Sequence, residues 1–294
     1  MIFGGIEAGG TKWVCAVGST PDDVLETLVF PTGRPDETIA RAAGFFASHS
    51  TLAAVGVGSF GPIDLHRTSP TWGRITTTPK PGWADTDLFS TLSATLHVPL
   101  AFDTDVNAAA LGEHRWGAAV GLETFCYVTV GTGIGGGGMA NGRLMHGLLH
   151  PELGHMRIPH DLSVDPFAGI CPYHGDCFEG LASGEAIRRR WSLSPGEPLP
   201  EDAVQLEAEY LALGLVNLVA VLSPQRIIVG GGVMNEPSLI ELVRARLRAL
   251  AAGYFDTPRL SDRIDDYVVR PALGDRAGVL GAFELARLAV DGAD

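Results

Sequence analysis

The feature that most constrains this chain is a pattern of β-strand, glycine turn and β-strand that occurs twice. Residues 2–17 are apolar apart from the segment Glu7-Ala-Gly-Gly-Thr-Lys12, and residues 125–139 are apolar on both sides of a glycine-rich turn. Each run predicts two strands joined by a tight turn, in which Gly9 and Gly131 hold corresponding places. The recurrence indicates a duplicated unit, with one copy opening each half of the chain.

Further predicted strands alternate with predicted helices, which is typical of α/β proteins. The strands are expected at 52–57, 98–102 and 226–229, and the helices at 107–115, 201–222, 237–251 and 277–290. We therefore predict an α/β protein of two domains with a cleft between them. The boundary is predicted after residue 115, so that residues 1–115 form the N-terminal domain and the larger second domain begins at residue 116.

Composition excludes several classes of protein. The chain has 294 residues, of which 46% are hydrophobic and 19% charged, so it can bury a core despite its 38 glycines. A formal net charge of −13 opposes binding along a nucleic-acid backbone, which needs a basic surface. The longest apolar stretch, Leu211 to Leu222, is too short to span a bilayer, and residues 1–10 lack the pattern of a signal peptide. We expect a cytoplasmic protein with neither nucleic-acid nor membrane partners.

Three glycine-rich turns, each following a β-rich run, are candidates for binding a nucleotide. Their residues are Gly9, Gly10, Thr11 and Lys12; Gly131, Thr132, Gly133 and Gly135; and Gly230, Gly231 and Gly232. A backbone without Cβ atoms can approach an anion closely and direct successive N–H groups at it. None has the Walker spacing, and any one alone is equally a tight hairpin or a close helix contact. Three in one chain, two of them at repeat-related places, favour nucleotide binding.

A pair of carboxylates follows the predicted strand at 98–102. Asp103 and Asp105 stand where a strand end meets a helix start, which is where open α/β sheets place functional groups. Such a carboxylate could accept the proton of a hydroxyl that attacks a γ-phosphoryl group, or it could merely cap the helix. From the residues alone, Asp103 and Asp105 are equal candidates for the base.

The segment from 151 to 183 carries a pattern of metal ligands. Two cysteines and two histidines are the candidates: His155, Cys171, His174 and Cys177. Two thiolates and two imidazoles complete a tetrahedral zinc shell, and four protein ligands indicate a structural metal. Other nearby histidines are alternatives for the fourth ligand: His146, His150 and His160. Cys15 and Cys126 lie in apolar runs and are expected to be core residues.

Two carboxylates flank the predicted zinc loop. Glu152 lies three residues before His155, and Glu179 lies two residues after Cys177. A loop that fixed these groups around a pocket would supply acceptors for the hydroxyls of a sugar. Without further information, either glutamate is equally a solvated surface charge.

Taken together, these motifs resemble those of the ROK family of sugar kinases, repressors and open reading frames. The matching segments are Glu7–Lys12, Thr104–Glu113, Gly131–Gly135, His150–His155, Cys171–Gly184 and Ile228–Met234, in order along the chain. Within the family, the match is closest to bacterial zinc-containing fructokinases, which share the segments Gly58–Pro62 and Thr77–Trp83.

The resemblance implies an actin-like, hexokinase-type fold of the ribonuclease H-like class, with ATP and a sugar in the cleft. Asp105 would be the base, the glycine turns would surround the phosphates, and Glu7 is the candidate for helping to hold Mg²⁺. The residues implied for sugar binding are Gly61, Pro62, Lys80, Thr104, Glu152, His155 and Glu179. His155 would bind structural Zn²⁺ through one ring nitrogen and face the sugar with the other. The resemblance also implies that the C-terminal helix at 275–294 packs back on the first domain and completes it, which leaves residues 116–274 as the larger second domain that carries the zinc loop. A homodimer is implied as well.

The implied reaction is transfer of a phosphoryl group from ATP to the 6-hydroxyl of D-fructose. A hexokinase preferring mannose or glucose is the first alternative, because related hexoses share most of their hydroxyls. Family glucokinases often have asparagine at the position of Thr104, and its amide could bond two sugar hydroxyls. The absence of this amide argues against a glucokinase. A non-catalytic sugar-sensing protein is the second alternative, although no helix-turn-helix segment is expected ahead of the first strand. A zinc hydrolase would need an open coordination site, which a four-ligand shell lacks.

Overall fold

The computed structural model describes residues 1–49, 51–194 and 196–292. Its strands are β1 (Ile2–Ala8), β2 (Lys12–Thr20), β3 (Asp23–Pro31), β4 (Leu52–Ser59), β5 (Leu100–Thr104), β6 (Phe125–Val130), β7 (Ile134–Ala140), β8 (Arg143–Leu144), β9 (Ile227–Gly230) and β10 (Val268–Val269). Its α-helices are α1 (Pro35–Ala47), α2 (Leu88–Leu96), α3 (Asp105–Trp116), α4 (Phe178–Ala182), α5 (Gly184–Trp191), α6 (Glu201–Leu222), α7 (Leu239–Ala251), α8 (Ile264–Tyr267) and α9 (Ala277–Asp291).

The chain divides into two compact units. Unit 1 consists of Met1–Gly121, Leu144–Pro151 and Ala272–Asp294, and unit 2 of Leu122–Arg143 and Glu152–Pro271. The units therefore differ from the predicted domains at residues 116–121, 144–151 and 272–274, which belong to unit 1. In the segment 144–151, His146 and His150 bond to other parts of unit 1, and no local sequence pattern reveals these contacts.

The two units contain sheets of the same topology. The strand order is β3-β2-β1-β4-β5 in unit 1, and β8-β7-β6-β9-β10, read in the same direction, in unit 2. Each sheet opens with an antiparallel hairpin, β1–β2 or β6–β7, and continues with parallel strands on the other side of its first strand. This matching order accounts for the repeated strand–turn–strand pattern in the sequence.

Helices α3 and α9 pack closely in unit 1 because glycines occupy their contacts. A Cβ atom on Gly56 of β4 would lie 1.9 Å from the carbonyl oxygen of Ala282 in α9. A Cβ atom on Gly281 would lie 1.6 Å from the carbonyl oxygen of Ala108 in α3. Only glycine permits these distances. The position of α3, which begins at Asp105, is therefore fixed by direct backbone contact with α9.

A buried carboxylate ties the end of α3 to the segment that leads into α9. Glu113 is fully buried, and its Oε2 accepts hydrogen bonds from the N–H groups of Ala118 and Ala272 at 2.6 and 3.1 Å. Its Oε1 accepts another from the N–H of Leu273 at 2.8 Å. One side chain thus satisfies three backbone donors in two segments that are far apart in sequence.

Among the residues that the structure describes, α6 alone has the length and composition to cross a membrane. It is 22 residues long, with the bounds predicted from the sequence, and includes the apolar stretch Leu211–Leu222 as its second half. In its most apolar window 56% of the residues are buried, and the helix carries the buried Glu207. These properties are those of a core helix, and α6 packs against α4 and α7 within unit 2.

Candidate active site and metal centre

The parallel strands of unit 1 bring several predicted site residues to one edge of the sheet. Glu7 of β1 is level with Gly58 of β4, and Gly58 is level with Asp103 of β5. The carboxyl ends of these strands lead into the Gly9 turn, the Gly61–Pro62 segment and the start of α3. Open α/β sheets place their ligands at this edge.

Asp105 is the first residue of α3 and is held in place by its neighbours. The Oγ1 of Thr104 caps the helix by accepting the N–H of Asn107 at 3.1 Å. The Oδ1 of Asp105 accepts the N–H of Val106 at 2.8 Å. Burial raises the pKa of the Asp105 carboxyl to about 6. A carboxylate with a pKa close to neutral is suited to accepting a proton during a reaction.

Asp103 differs from Asp105 in that its carboxylate is already engaged. Its Oδ1 accepts hydrogen bonds from the N–H of Thr104 at 2.7 Å and from the Nδ2 of Asn107 at 2.8 Å. Its Oδ2 lies 2.9 Å from the Nε2 of His146. These contacts give Asp103 a role in holding the turn, which favours Asp105 as the base.

Glu7 lies beside the beginning of α9. A Cβ atom on Gly278 would lie 2.5 Å from the Cδ of Glu7. The buried Oε2 of Glu7 has no hydrogen-bond partner among the described residues. Burial, with a smaller contribution from the charge of Asp105, raises the pKa of Glu7 to about 7, although Lys12 acts in the opposite direction. An oxygen without a donor, near a second carboxylate, fits a hydrated Mg²⁺.

The first glycine turn joins β1 to β2 in unit 1. The N–H of Gly9 donates to the carbonyl of Lys12 at 3.1 Å, and the Oγ1 of Thr32 donates to the carbonyl of Gly9 at 2.7 Å. Gly10 and Thr11 form the tip of the turn, and the side chain of Lys12 is exposed. The turn is therefore both a tight hairpin, one of the two interpretations of its sequence, and open to a ligand.

The other two glycine turns follow neighbouring parallel strands of unit 2. Thr129 at the end of β6 is level with Gly230 at the end of β9, so Gly131–Gly133 and Gly230–Gly232 begin side by side. Gly231 has a φ of 92°, and a Cβ atom there would lie 2.4 Å from the carbonyl oxygen of Val130. Thr132 is exposed in its turn, whereas Gly135 lies within β7, level with Thr129.

The predicted zinc ligands converge in unit 2. The ligand atoms of His155, Cys171, His174 and Cys177 all lie within 4.8 Å of one another. The Sγ of Cys171 lies 3.7 Å from the Nδ1 of His155 and 3.6 Å from the Nδ1 of His174. The Sγ of Cys177 lies 3.6 Å from the Nδ1 of His155.

These distances fit tetrahedral zinc. Bonds of about 2.3 Å to sulfur and about 2.0–2.1 Å to nitrogen place the S and N atoms of a tetrahedron about 3.6 Å apart. His155 is therefore the candidate for the fourth ligand, and the four atoms fit structural Zn²⁺ with the Nδ1 atoms of both histidines on the metal side. His146 and His150, two of the alternatives, belong to unit 1.

His160, the remaining alternative, helps to anchor the zinc loop. Its Nε2 lies 3.0 Å from the carbonyl oxygen of Asp165, and its Nδ1 lies 3.3 Å from Asp176 within the loop. The hydroxyl of Tyr210 in α6 donates to Asp165 at 2.6 Å, and the guanidinium of Arg190 lies 3.2 Å from the same carboxylate. No sequence motif reveals this buried cluster, because the residues that form it are scattered along the chain.

The zinc loop fixes two of the predicted sugar-binding groups. With Nδ1 on the metal side, the Nε2 of His155 lies 4.0 Å from the Oε2 of Glu152. Farther along, the Oε2 of Glu179 accepts the N–H of Ile134 at 2.9 Å, directly after the glycine turn at Gly133. Glu179 is thus bonded to that turn, which argues against a freely solvated surface charge.

The remaining predicted sugar-binding residues lie in unit 1. The Gly61–Pro62 peptide is cis, and the next N–H, that of Ile63, donates to the Nε2 of His150 at 3.0 Å. Lys80 is partly buried, and its N–H donates to the Oγ1 of Thr78 at 3.3 Å. Thr104 is buried as the cap of α3.

Comparison with known proteins places the chain in a family. The family model described as "ROK family" matches residues 3–289. This chain belongs to the ROK family. Among ROK relatives, it is 44% identical to the fructokinase of Zymomonas mobilis, over 97% of this chain and 96% of that protein. It is 41% identical to the fructokinase of Pediococcus pentosaceus, over the full length of both.

A solved structure shows the same fold. The ROK family glucokinase of Streptomyces griseus, in complex with glucose and AMPPNP, superposes with a TM-score of 0.79 at 26% identity, over 98% of this chain and 99% of that one. The fold is the actin-like ATPase fold of ROK sugar kinases, as the sequence predicted.

Proposed function

We propose that this protein is a fructokinase that transfers the γ-phosphoryl group of ATP to the 6-hydroxyl of D-fructose, giving D-fructose 6-phosphate and ADP. The observation that carries the proposal is identity above 40% to two fructokinases over almost the whole of each chain. The candidate zinc centre supports it, because the resemblance to zinc-containing fructokinases implies a zinc site and four side chains able to form one converge here.

In this proposal, Asp105 orients the 6-hydroxyl and accepts its proton as the oxygen attacks the γ-phosphorus. Phosphoryl transfer depends mainly on positioning and on charge neutralisation, so a single well-placed carboxylate is sufficient as the base. Its pKa of about 6 leaves most of the group ionised at neutral pH and keeps it basic enough to take the proton.

Cofactors supply the charge that an acidic chain lacks. Mg²⁺ neutralises the phosphates of ATP when bound, and Glu7 is the proposed group that helps to hold it through water. The phosphates are proposed to contact the backbone N–H groups of the glycine turns, with Lys12 as an added cation. Zn²⁺ remains structural, because its four protein ligands leave no open position.

The sugar-binding residues are proposed from the resemblance, and the structure describes the surroundings of each within its own unit. In unit 2 these are Glu152, the Nε2 of His155, and Glu179; in unit 1 they are Gly61, Pro62, Lys80 and Thr104. Thr104 is the proposed source of discrimination against glucose, because its short hydroxyl is used as a helix cap. Cytoplasmic location, the homodimer and the cleft between domains stay predictions from the sequence.

The test is an ADP-release assay on purified protein with Mg²⁺-ATP against fructose, mannose, glucose and N-acetylmannosamine at matched concentrations. We expect the highest kcat/KM with fructose. Faster turnover of another hexose would assign a different substrate to the same kinase. Absence of turnover on every sugar, with zinc bound, would reject the kinase and leave a sugar-binding role.

A further inference from the structure

The loop at 144–151 carries two histidines that bond to separate parts of unit 1. His146 contacts the turn before α3, and His150 contacts the segment after the cis peptide at Pro62. The apolar residues between them do not hold the loop, since Leu148 and Leu149 are 89% and 59% exposed. The hydrogen bonds of the two histidines therefore attach the loop to other segments of unit 1.

At the first contact, His146 acts on Asp103. The Nε2–H of His146 donates to the Oδ2 of Asp103 at 2.9 Å, while the Oδ1 of the same carboxylate accepts from Thr104 and Asn107. Asp103 is only 4% exposed, so loss of the imidazole would leave a buried carboxylate oxygen without its donor. The carboxylate directly organises the turn that presents Thr104 and Asp105.

At the second contact, His150 acts as an acceptor. The N–H of Ile63 donates to its Nε2 at 3.0 Å, so the proton of the neutral ring is on Nδ1. His150 is 7% exposed, and burial lowers its pKa, which keeps the ring in the neutral form that can accept. A Cβ atom on Gly61 would lie 3.2 Å from the Cε1 of His150, so the ring also packs against the cis-proline segment.

We propose that the 144–151 loop positions the unit 1 groups that bind the sugar, with His146 acting through Asp103 on Thr104 and Asp105, and His150 acting through Ile63 on Gly61 and Pro62. Both histidines are positioning residues. The inference rests on the proposed function, since it assigns these two segments to the acceptor sugar. The two histidines should affect different kinetic constants. His146 positions the base, so its loss should lower kcat, whereas His150 positions a sugar-binding segment, so its loss should raise KM.

The test uses matched pairs of variants in the full-length protein. In His146→Leu and His150→Leu the hydrogen bond is lost, whereas in His146→Gln and His150→Gln an amide can donate or accept in its place. We expect His146→Leu to lower kcat by about ten- to a hundredfold, in line with the cost of misplacing a catalytic group by about 1 Å. We expect His150→Leu chiefly to raise the KM for fructose, and each Gln variant to recover most of the loss.

Two controls separate positioning from general damage. His97→Asn, at an exposed left-handed position that asparagine tolerates, should behave as the wild type. In a double-variant cycle, Asp103→Asn and His146→Leu together should lower kcat no more than the larger single change does, because both changes disrupt the same hydrogen bond between His146 and Asp103. The proposal would be overturned if the two changes lowered kcat by the product of their separate effects, or if His146→Leu had a normal kcat.

A readout independent of activity distinguishes failure of this inference from failure of the proposed function. Hydrogen exchange should become faster around residues 103–107 in His146→Leu and around 61–65 in His150→Leu, and not the reverse. If the wild type phosphorylates no sugar but this exchange pattern is found, the fructokinase assignment fails and the positioning contacts stand. If exchange is unchanged in both segments, the loop does not position them.

Discussion

The Nδ1 of His155 lies 3.7 Å from the Sγ of Cys171, while the Nε2 of the same ring lies 4.0 Å from Glu152. One imidazole thus belongs to both the metal centre and the proposed sugar site. The partner of the second ring nitrogen orients a histidine that binds a metal. In the same way, a metal bound at Nδ1 of His155 would fix the direction in which its Nε2 points.

Removing zinc should therefore weaken fructose binding as well as stability. We expect chelation to lower the Tm and to raise the Kd for fructose, measured calorimetrically without ATP, by at least about tenfold, since such orienting contacts are typically worth 10- to 100-fold. Added Zn²⁺ should restore both quantities. Normal fructose binding by metal-free protein would show that His155 does not serve both sites.

Replacing Asp105 with asparagine should abolish turnover and leave sugar binding intact. The amide keeps the shape of the carboxylate but cannot accept the proton, and loss of a general base costs about 10²–10⁴ in rate. The Kd for fructose should change by less than about threefold, in keeping with the small net value of one neutral hydrogen bond. Asp22→Asn, at an exposed position, is the matched control. Near-normal kcat in Asp105→Asn would transfer the role of base to another group.

The raised pKa of Asp105 predicts opposite effects of pH on activity and stability. Activity needs the ionised carboxylate, so kcat/KM should rise with pH through about 6. The folded carboxyl, with its pKa raised from 3.8 to about 6, binds its proton more tightly than the unfolded one. Its contribution to stability therefore falls as pH rises across that window.

Urea unfolding of Asp105→Asn without Mg²⁺ measures this directly. The variant cannot ionise, so its free energy of unfolding should exceed that of the wild type above pH of about 6 and match it at the acid end of the window. A stability difference that does not vary with pH would show that the pKa of Asp105 is unchanged by folding.

Thr104→Asn should shift the preference among hexoses. Asparagine is as good a helix cap as threonine, so α3 should keep its start, while the longer amide can reach sugar hydroxyls. We expect the ratio of kcat/KM for fructose over glucose to fall by about tenfold, the usual size of an effect from one contact. Thr95→Asn, on the exposed face of α2, should leave the ratio unchanged. An unaltered ratio in Thr104→Asn would place the discrimination elsewhere, with Lys80 the next residue to test.

Glu113→Gln should destabilise the protein without changing its sugar preference. The carboxylate accepts three backbone N–H groups, and an amide must turn its NH₂ toward at least one of these donors. Leaving such a buried group unsatisfied costs about 1–3 kcal/mol, to be measured by urea unfolding. The exposed Glu123→Gln is the control. Equal stability of the two variants would contradict this role.

The regular elements with strong local patterns could be predicted from the sequence. The helix expected at 201–222 is α6 with the same bounds, and the two strand–turn–strand segments are β1–β2 and β6–β7. The zinc ligands were predictable because a Cys-x-x-His-x-x-Cys spacing confines three of them to one short loop. Cys15 and Cys126 are buried in strands as expected, and burial raises the pKa of both thiols to about 12.

Elements whose stability comes from distant contacts were missed. β3 is an edge strand with mostly exposed side chains, which gives it a weak local pattern. α1 lacks a side-chain cap, but Pro35, Asp36 and Glu37 in its first turn are signals of a helix start that could have been used. Local pattern alone could not separate the carboxylates Asp103 and Asp105 either, and only the family resemblance favoured Asp105. What distinguishes them is His146, which is distant in sequence and reaches only one of the two.

The close contact of Gly281 with α3 has a consequence for engineering. Exchanging helical glycines for alanine is a standard way to raise thermal tolerance, because alanine restricts the unfolded chain. In α9 the added methyl group would collide with the carbonyl of Ala108 and displace the helix on which Asp105 stands. Inactivating substitutions should therefore be found in α9, close to the C-terminus, although this helix carries none of the proposed site residues.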